Sequence, residues 1–260
     1  MVDFLDILIE DVEKTIETGY YKVDACKTFN RHLSLTNSIV NCIHAPVIAE
    51  VKPSSPSHGN LRIIKSVKNV AVAMERGGAS GISVLTEPKH FRGSIELLKK
   101  VKSCVNLPVL MKDITINPVQ IEAASKIGAD AVLLISSAFK RNRVKYSVDE
   151  MIRLAHSKKL EVLLETHSKA EFLSALETEA DLVGINNRDL KTLNVELKVT
   201  RQVMSVVGKC EKIVVSESGI QNPEDIRFLR ACGVKAFLAG SAIMLADNVE
   251  NKVRELVHAL

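Results

Sequence analysis

The sequence predicts an α/β fold: a (β/α)8 TIM barrel in one domain spanning 1–260, with residues 1–45 as an N-terminal helical extension. Three observations carry this. Eight short apolar runs recur after residue 46, at 47–51, 80–85, 108–112, 130–135, 160–165, 182–186, 212–216 and 235–239. Polar stretches with helical periodicity lie between them. Several of those stretches close on glycine just before the next run. Eight strand–helix units at this spacing are what a closed barrel needs. Continuously apolar strands are expected when helices cover one face of a parallel sheet and a packed interior the other. A doubly wound open sheet is the competing fold. The count of eight and the lack of a GxGxxG turn after the first run count against it.

Taken in order, residues 3–18 read as an amphipathic helix. Phe4, Leu5, Leu8, Ile9, Val12 and Ile16 recur at helical spacing, with Asp3, Glu10, Asp11, Glu13 and Lys14 between them. A mixed segment follows to about Thr36, where Ser34 or Thr36 is suited to cap helical turns. This front section reads as a lid or plug added to the barrel. Helical periodicity then covers Leu61 to Arg76, Ser94 to Lys102, Pro118 to Ile127, Asp149 to Ser157, Lys169 to Leu176 and Pro223 to Cys232. Glycine follows three of these in Arg76-Gly77-Gly78, Ile127-Gly128 and Cys232-Gly233. It suits a helix C-terminus because it accepts positive φ.

Composition narrows the function classes. An apolar content of 46% with 25% charged residues fits a globular protein with a substantial core. The net charge of +4, from 35 basic and 31 acidic residues, is too mild and too dispersed for a nucleic-acid binder. The cysteines Cys26, Cys42, Cys104, Cys210 and Cys232 are odd in number and show no CxxC spacing. Neither a disulfide framework nor a zinc site is expected, which fits reduced thiols and a cytoplasmic location. The first residues lack a signal pattern, and no apolar run approaches the ~18 residues of a membrane span, so no membrane partner is expected.

The strand ends carry the chemistry. In this fold the active site lies at the C-terminal ends of the strands. The first apolar run leads into Ala49-Glu50-Val51-Lys52-Pro53-Ser54-Ser55-Pro56-Ser57-His58-Gly59. Alternation places Glu50 and Lys52 on one face, and two charges at a buried strand end are costly unless paired or used. The third strand ends Lys112-Asp113, the fifth Glu165-Thr166-His167, the sixth Asn186-Asn187-Arg188-Asp189 and the seventh Glu217-Ser218-Gly219. Counting back by two from Lys112 gives Leu110, and from Glu165 gives Leu163, so these charges continue inward-facing rows. The loops Glu217-Ser218-Gly219-Ile220 and Gly240-Ser241-Ala242-Ile243 suit phosphate. Each offers glycine, a hydroxyl and a helix start, and phosphate sites in this fold favour the loops after strands seven and eight. One such loop alone would be an ordinary turn.

In combination, seven stretches resemble one family, indole-3-glycerol phosphate synthase. They are Ala-Glu-Val-Lys-Pro-Ser-Ser-Pro-Ser at 49–57, Leu-Thr-Glu-Pro-Lys-His-Phe-Arg-Gly-Ser at 85–94, Pro-Val-Leu-Met-Lys-Asp at 108–113, Glu165, Gly-Ile-Asn-Asn-Arg-Asp-Leu at 184–190, Ser-Glu-Ser-Gly-Ile at 216–220 and Leu-Ala-Gly-Ser-Ala-Ile-Met at 238–244. The resemblance runs from about residue 3 to the end. It implies a carboxy-lyase of tryptophan biosynthesis acting on 1-(2-carboxyphenylamino)-1-deoxyribulose 5-phosphate. It implies Lys112 as general acid at the substrate carbonyl, Glu165 as acid/base in later steps, Glu50 as catalytic, and Lys52 paired with the substrate carboxylate. Asn186, Arg188 and Glu217 match polar pocket residues. Ser55, Ser218, Gly219, Gly240 and Ser241 match phosphate and substrate contacts, and Phe91 and Leu190 an apolar wall. No cofactor or metal is implied, and the candidate protein partners are other enzymes of the tryptophan pathway.

The residue types agree with that chemistry. A lysine donates a proton if neighbouring carboxylates keep it charged, and Glu50 and Glu165 are the expected neighbours. Two lysines, an arginine and helix starts suit a substrate carrying phosphate and carboxylate. Gly240 and Ser241 are expected to act mainly on KM. His58 and His167 are expected as solvated loop histidines, since the reaction needs neither. The family often has an aromatic residue after Lys-Asp, whereas here it is Ile114, which removes a source of ring stacking. Thr166-His167 and Pro53-Ser54 also depart in detail. Fold alone leaves an isomerase or aldolase-like phosphate barrel as an alternative, and a non-catalytic interaction subunit as another. The charged constellation argues against both, because an idle barrel should lose buried charges.

Overall fold

The computed structural model describes residues 3–24, 32–55, 59–60, 66–189, 192–207 and 210–260. Eight parallel strands close on themselves: β1 Val47–Val51, β2 Gly81–Leu85, β3 Val109–Lys112, β4 Ala131–Ile135, β5 Glu161–Thr166, β6 Leu182–Asn186, β7 Ile213–Glu217 and β8 Ala236–Ala239. The ring shuts where β8 pairs β1, with Val47 opposite Phe237 and Ala49 opposite Ala239. Each strand matches an apolar run of the sequence to within a residue at either end.

Alternation sorts each strand into two rows. The outer row, such as Val47, Ala49 and Val51 of β1 or Val162 and Leu164 of β5, packs against the helical ring. The inner row fills the barrel with Ile48, Leu110, Leu133, Leu163, Val215 and Leu238. The next inner positions toward the C-terminal mouth are Glu50, Lys112, Glu165, Asn186 and Glu217, by the same alternation. The apolar interior therefore ends in a layer of charge.

The ring helices are α3 Val67–Arg76, α4 Ile95–Lys102, α5 Pro118–Lys126, α6 Val148–Ser157, α7 Lys169–Leu176, α8 Lys198–Met204, α9 Pro223–Ala231, α10 Ser241–Leu245 and α11 Val249–Val257. Most open on a side-chain cap, such as Ser66, Ser94, Asn117, Ser147, Ser168 and Asn222. The helix that follows β6, α8, opens on Leu197 without one. Neither it nor α10 and α11 stood out in the helical periodicity.

Two helices precede the barrel. The first, α1 Phe4–Glu17, buries Leu5, Leu8, Ile9 and Val12 in the same cluster as the barrel interior. Ion pairs hold it across the mouth. Its Asp11 meets Lys89 at 2.6 Å and His90 at 2.8 Å on the loop after β2, and its Asp3 meets Arg141 at 2.6 Å beyond β4. The second, α2 Leu35–Val40, closes the opposite end. Ser34 caps it, and the N–H of Thr36 donates to Glu161 at 3.0 Å, at the start of β5. Leu35 and Ile39 enter the interior from below. Just beyond β1, Ser54–Ser55 pairs antiparallel with Gly59–Asn60. Among the described residues no helix is long and apolar enough to cross a membrane.

Candidate active site

The charged layer floors a cavity of about 590 Å³ at the mouth, lined by residues from all eight strand ends and by Phe4 and Leu8 of α1. Lys112 stands at its centre. Its Nζ lies 2.8 Å from Glu217 Oε2 and 3.3 Å from Glu165 Oε2. Both carboxylates are buried, at 1% and 2% exposure. Beside them, Lys52 Nζ meets Glu50 Oε1 at 2.6 Å. The carboxylates near Lys112 are thus Glu217 and Glu165, whereas Glu50 spends its close contact on Lys52 and reaches Lys112 only at longer range. Glu165 and Glu50 thus both help hold Lys112 charged, as expected, and Glu217, which was not expected in that role, makes the closest contact. Parity on one strand showed which residues face inward, but barrel closure decides which of them meet.

The electrostatics follow from that crowding. Burial by itself would lower the Lys112 ammonium, but Glu217, Glu165 and Glu50 hold it well above its ordinary value. Burial would raise Glu165, yet Lys112, His167 and Asn186 keep it well below the carboxylate range. Glu217 goes the other way: burial, joined by the like charges of Glu165 and Glu50, pushes it up to about 7 against the pull of Lys112. Three carboxylates and two ammoniums crowd this layer, and among the carboxylates Glu217 is the one that holds a proton most readily.

The surrounding residues fix these groups. Asn186 Nδ2 donates to Glu165 Oε1 at 3.1 Å, and Asn186 Oδ1 accepts from the N–H of Arg188 at 2.9 Å. The Arg188 guanidinium donates to the Leu193 carbonyl at 2.9 Å, which ties down the loop beyond β6. Asn187, which the sequence did not single out, carries the loop after β7. Its Nδ2 donates to the carbonyls of Glu217 and Ser218 and to Ser216 Oγ, while its Oδ1 accepts from Thr200. That loop holds Ser218 at φ +66° and Gly219 at φ +88°. A left-handed serine costs on the order of 1 kcal/mol, a strain kept where the structure overdetermines it. Glu87 likewise organises the loop after β2, accepting from the N–H groups of Lys89, His90 and Phe91. Phe91 is thereby fixed on the cavity wall with Ile114. Neither Asn187 nor Glu87 carries a sequence signal that separates it from an ordinary polar loop residue.

Ser218, Gly219, Gly240 and Ser241 line one end of the cavity together. Gly240 also touches the charged layer, because a Cβ at that position would lie 2.5 Å from Glu50 Oε1 and 3.1 Å from Glu50 Cβ. Leu190 and His58 lie outside the described residues. Ser55 belongs to the short antiparallel pair. His167 is not the solvated loop histidine expected. It continues the inner row of β5 two residues past Glu165, is largely buried, and puts Nε2 3.3 Å from Glu165 Oε1.

The cavity can accept an anion at one end, present a charged ammonium at its centre, and supply carboxylates in different protonation states around it. A family model described as indole-3-glycerol phosphate synthase matches residues 7–256. A protein of that name from Methanocaldococcus jannaschii is 41% identical over 252 residues, covering 95% of this chain and 92% of its own. One from Methanopyrus kandleri is 46% identical over 217 residues, covering 82% of this chain and 83% of its own. Among solved structures, the N-acetylmannosamine-6-phosphate 2-epimerase of Clostridium perfringens superposes with a TM-score of 0.63 at 15% identity. That match covers 84% of this chain and 93% of the epimerase, and supports the fold alone.

Proposed function

The chain belongs to the indole-3-glycerol phosphate synthase family, and from that premise we propose how its barrel mouth divides the family's reaction among its side chains. The protein is a carboxy-lyase of tryptophan biosynthesis. It closes the indole ring of 1-(2-carboxyphenylamino)-1-deoxyribulose 5-phosphate, with loss of carbon dioxide and water, to give indole-3-glycerol phosphate.

The observation that carries the division of labour is Lys112 held charged between Glu217 and Glu165. The substrate phosphate lies at the end formed by Ser218, Gly219, Gly240 and Ser241, where the glycines allow close backbone approach and the serines offer hydroxyls. The anthranilate ring rests on Phe91 and Ile114, with Leu190 and Ser55 keeping the contacts that the resemblance implies. Lys52 faces the anthranilate carboxylate. The ring carbon bearing that carboxylate then attacks the ketone, and the ketone oxygen takes a proton from Lys112. Carbon dioxide leaves and the ring regains aromaticity. Loss of the new hydroxyl as water needs one proton in and one out. Glu165 rests as a carboxylate and takes the proton from the neighbouring carbon. Lys52, whose partner has left as carbon dioxide, supplies the proton to the leaving hydroxyl. Glu50 keeps that ammonium in place at 2.6 Å. Arg188 and Asn186 orient substrate and base. We place the protein in the cytoplasm with the other enzymes of its pathway.

Adding the carboxyphenylamino-deoxyribulose phosphate should produce indole fluorescence. Its absence with folded protein overturns the reading. A pair of variants separates holding from chemistry. Ser241→Ala should raise KM by roughly tenfold with little change in kcat, the effect of one lost hydrogen bond to a charged group. Gly240→Ala should also lower kcat, because its methyl displaces Glu50 and with it Lys52. A pure KM effect in Gly240→Ala would contradict that link.

A further inference from the structure

The geometry points to His167 as a positioning residue for Glu165, a cationic bridge between that carboxylate and Glu171 at the start of α7. This rests on the reading of Glu165 as the base. His167 is the third member of an inward row, Leu163-Glu165-His167, and its side chain is only 16% exposed. Its Nε2 lies 3.3 Å from Glu165 Oε1, and its Nδ1 lies 3.8 Å from Glu171 Oε2. The same Glu171 oxygen accepts from the His167 backbone N–H at 2.9 Å, so the helix start fixes both ends of the contact.

Neither ring nitrogen is aligned for a hydrogen bond. The contacts are therefore contacts of charge, and they favour the imidazolium. A neutral ring would remove that attraction from both carboxylates at once and leave Glu165 with Lys112 alone. The charged groups around it are Glu165 on its own strand and Glu171 on α7, with Lys112 from β3 beyond Glu165 and Lys140, before α6, near Glu171. Asn186 on β6 faces Glu165 from the other side. Burial would lower the imidazole, but Glu165 and Glu171 outweigh it and lift it to about 9.

The consequence is that Glu165 has two cationic neighbours of different acidity. Lys112 donates to the substrate and must pass through its neutral form in each turnover. His167 does not touch the reacting atoms, so it keeps Glu165 ionised and oriented while Lys112 is neutral. The bridge works below about pH 9 and is lost above it.

The test is the dependence of kcat on pH between 7 and 10.5 in the full-length protein, with thermal melts alongside. Wild type should show a fall centred near pH 9. His167→Asn should have a lower plateau without that fall. Glu171→Gln should keep the fall but move it to lower pH, since one of the two carboxylates that lift the imidazole has become neutral. In the melts, the stability supplied by His167 should be complete below pH 6.5 and lost as pH rises through 9, and His167→Asn should lack that loss. A His167→Asn profile that overlays wild type overturns the inference, as does an unmoved midpoint in Glu171→Gln. If Glu165→Gln keeps wild-type turnover, the reading of Glu165 falls and this inference with it. If Glu165→Gln is inactive while His167→Asn matches wild type, this inference alone falls.

Discussion

Lys112→Ala should abolish turnover, by about 10³-fold or more, while the barrel still folds. Positioned general acids contribute about 10²–10⁴-fold, and here no other ammonium is held between Glu217 and Glu165 at 2.8 and 3.3 Å. The same substitution should reveal the charge balance of the mouth. Removing one partner of a buried ion pair costs roughly 3–5 kcal/mol when the remaining charge stays ionised. In this site the remaining charge has a way out. Glu217 already titrates at about 7, and without Lys112 its carboxyl moves further up. A carboxyl with a raised folded pKa keeps its proton in the folded state after the unfolded chain has lost its own. Stability then falls as pH rises from about 4.5, the ordinary glutamate value, through the folded value. The melting gap between Lys112→Ala and wild type should therefore widen from pH 6 to pH 8. Indole fluorescence and melts at the two pH values check both halves. Wild-type turnover sinks the role of Lys112, and a gap that narrows with rising pH sinks the account of Glu217.

How much of this could be read beforehand depends on the range of the physics involved. The strands were legible because burial on both faces leaves a local signature. The run at 47–51 and the strand Val47–Val51 coincide, as do 182–186 and Leu182–Asn186. Helical periodicity and glycine stops marked most of the helices. Helix α8 escaped because it has only seven residues, too few to display a clear helical period. In the site, alternation identified Glu50, Lys112 and Glu165 as inward, since facing is a property of one strand. Partnership is a property of the closed ring. Lys112 on β3 meets Glu217 on β7 across the barrel, and no local pattern states that distance. His167 was misread for the same reason. Past the end of the run it resembles a loop residue, but the inner row continues through it and Glu171 pins it from a helix that starts two residues later.

Gly184→Ala should lower kcat by about 10²-fold with KM and stability close to wild type. Judged locally, the substitution looks favourable. Gly184 sits inside β6 between Glu165 of β5 and Val215 of β7, without a positive φ, and replacing such a glycine stabilises by about 0.4–1 kcal/mol through the unfolded chain. Across the barrel it is not favourable. A Cβ at 184 would lie 2.2 Å from Glu217 Oε1 and 3.3 Å from the Glu165 Cα. The nearer atom is the end of a side chain, so the structure relieves the clash by swinging Glu217 rather than by breaking the sheet. That swing draws Glu217 Oε2 away from Lys112 and leaves Glu165 as its only close carboxylate. Every charged group of the mouth remains, and only their arrangement changes. A displacement of about 1 Å in a catalytic group costs on the order of 10²-fold. Steady-state kinetics with a thermal melt decide the matter. Wild-type kcat in Gly184→Ala would mean that the contact between Lys112 and Glu217 does not matter to the reaction. A collapsed melting temperature would mean that the clash falls on the backbone of β5 and not on the carboxylate. The expected result, a stable protein that binds its substrate and turns it over slowly, ties the rate to the spacing between β3 and β7.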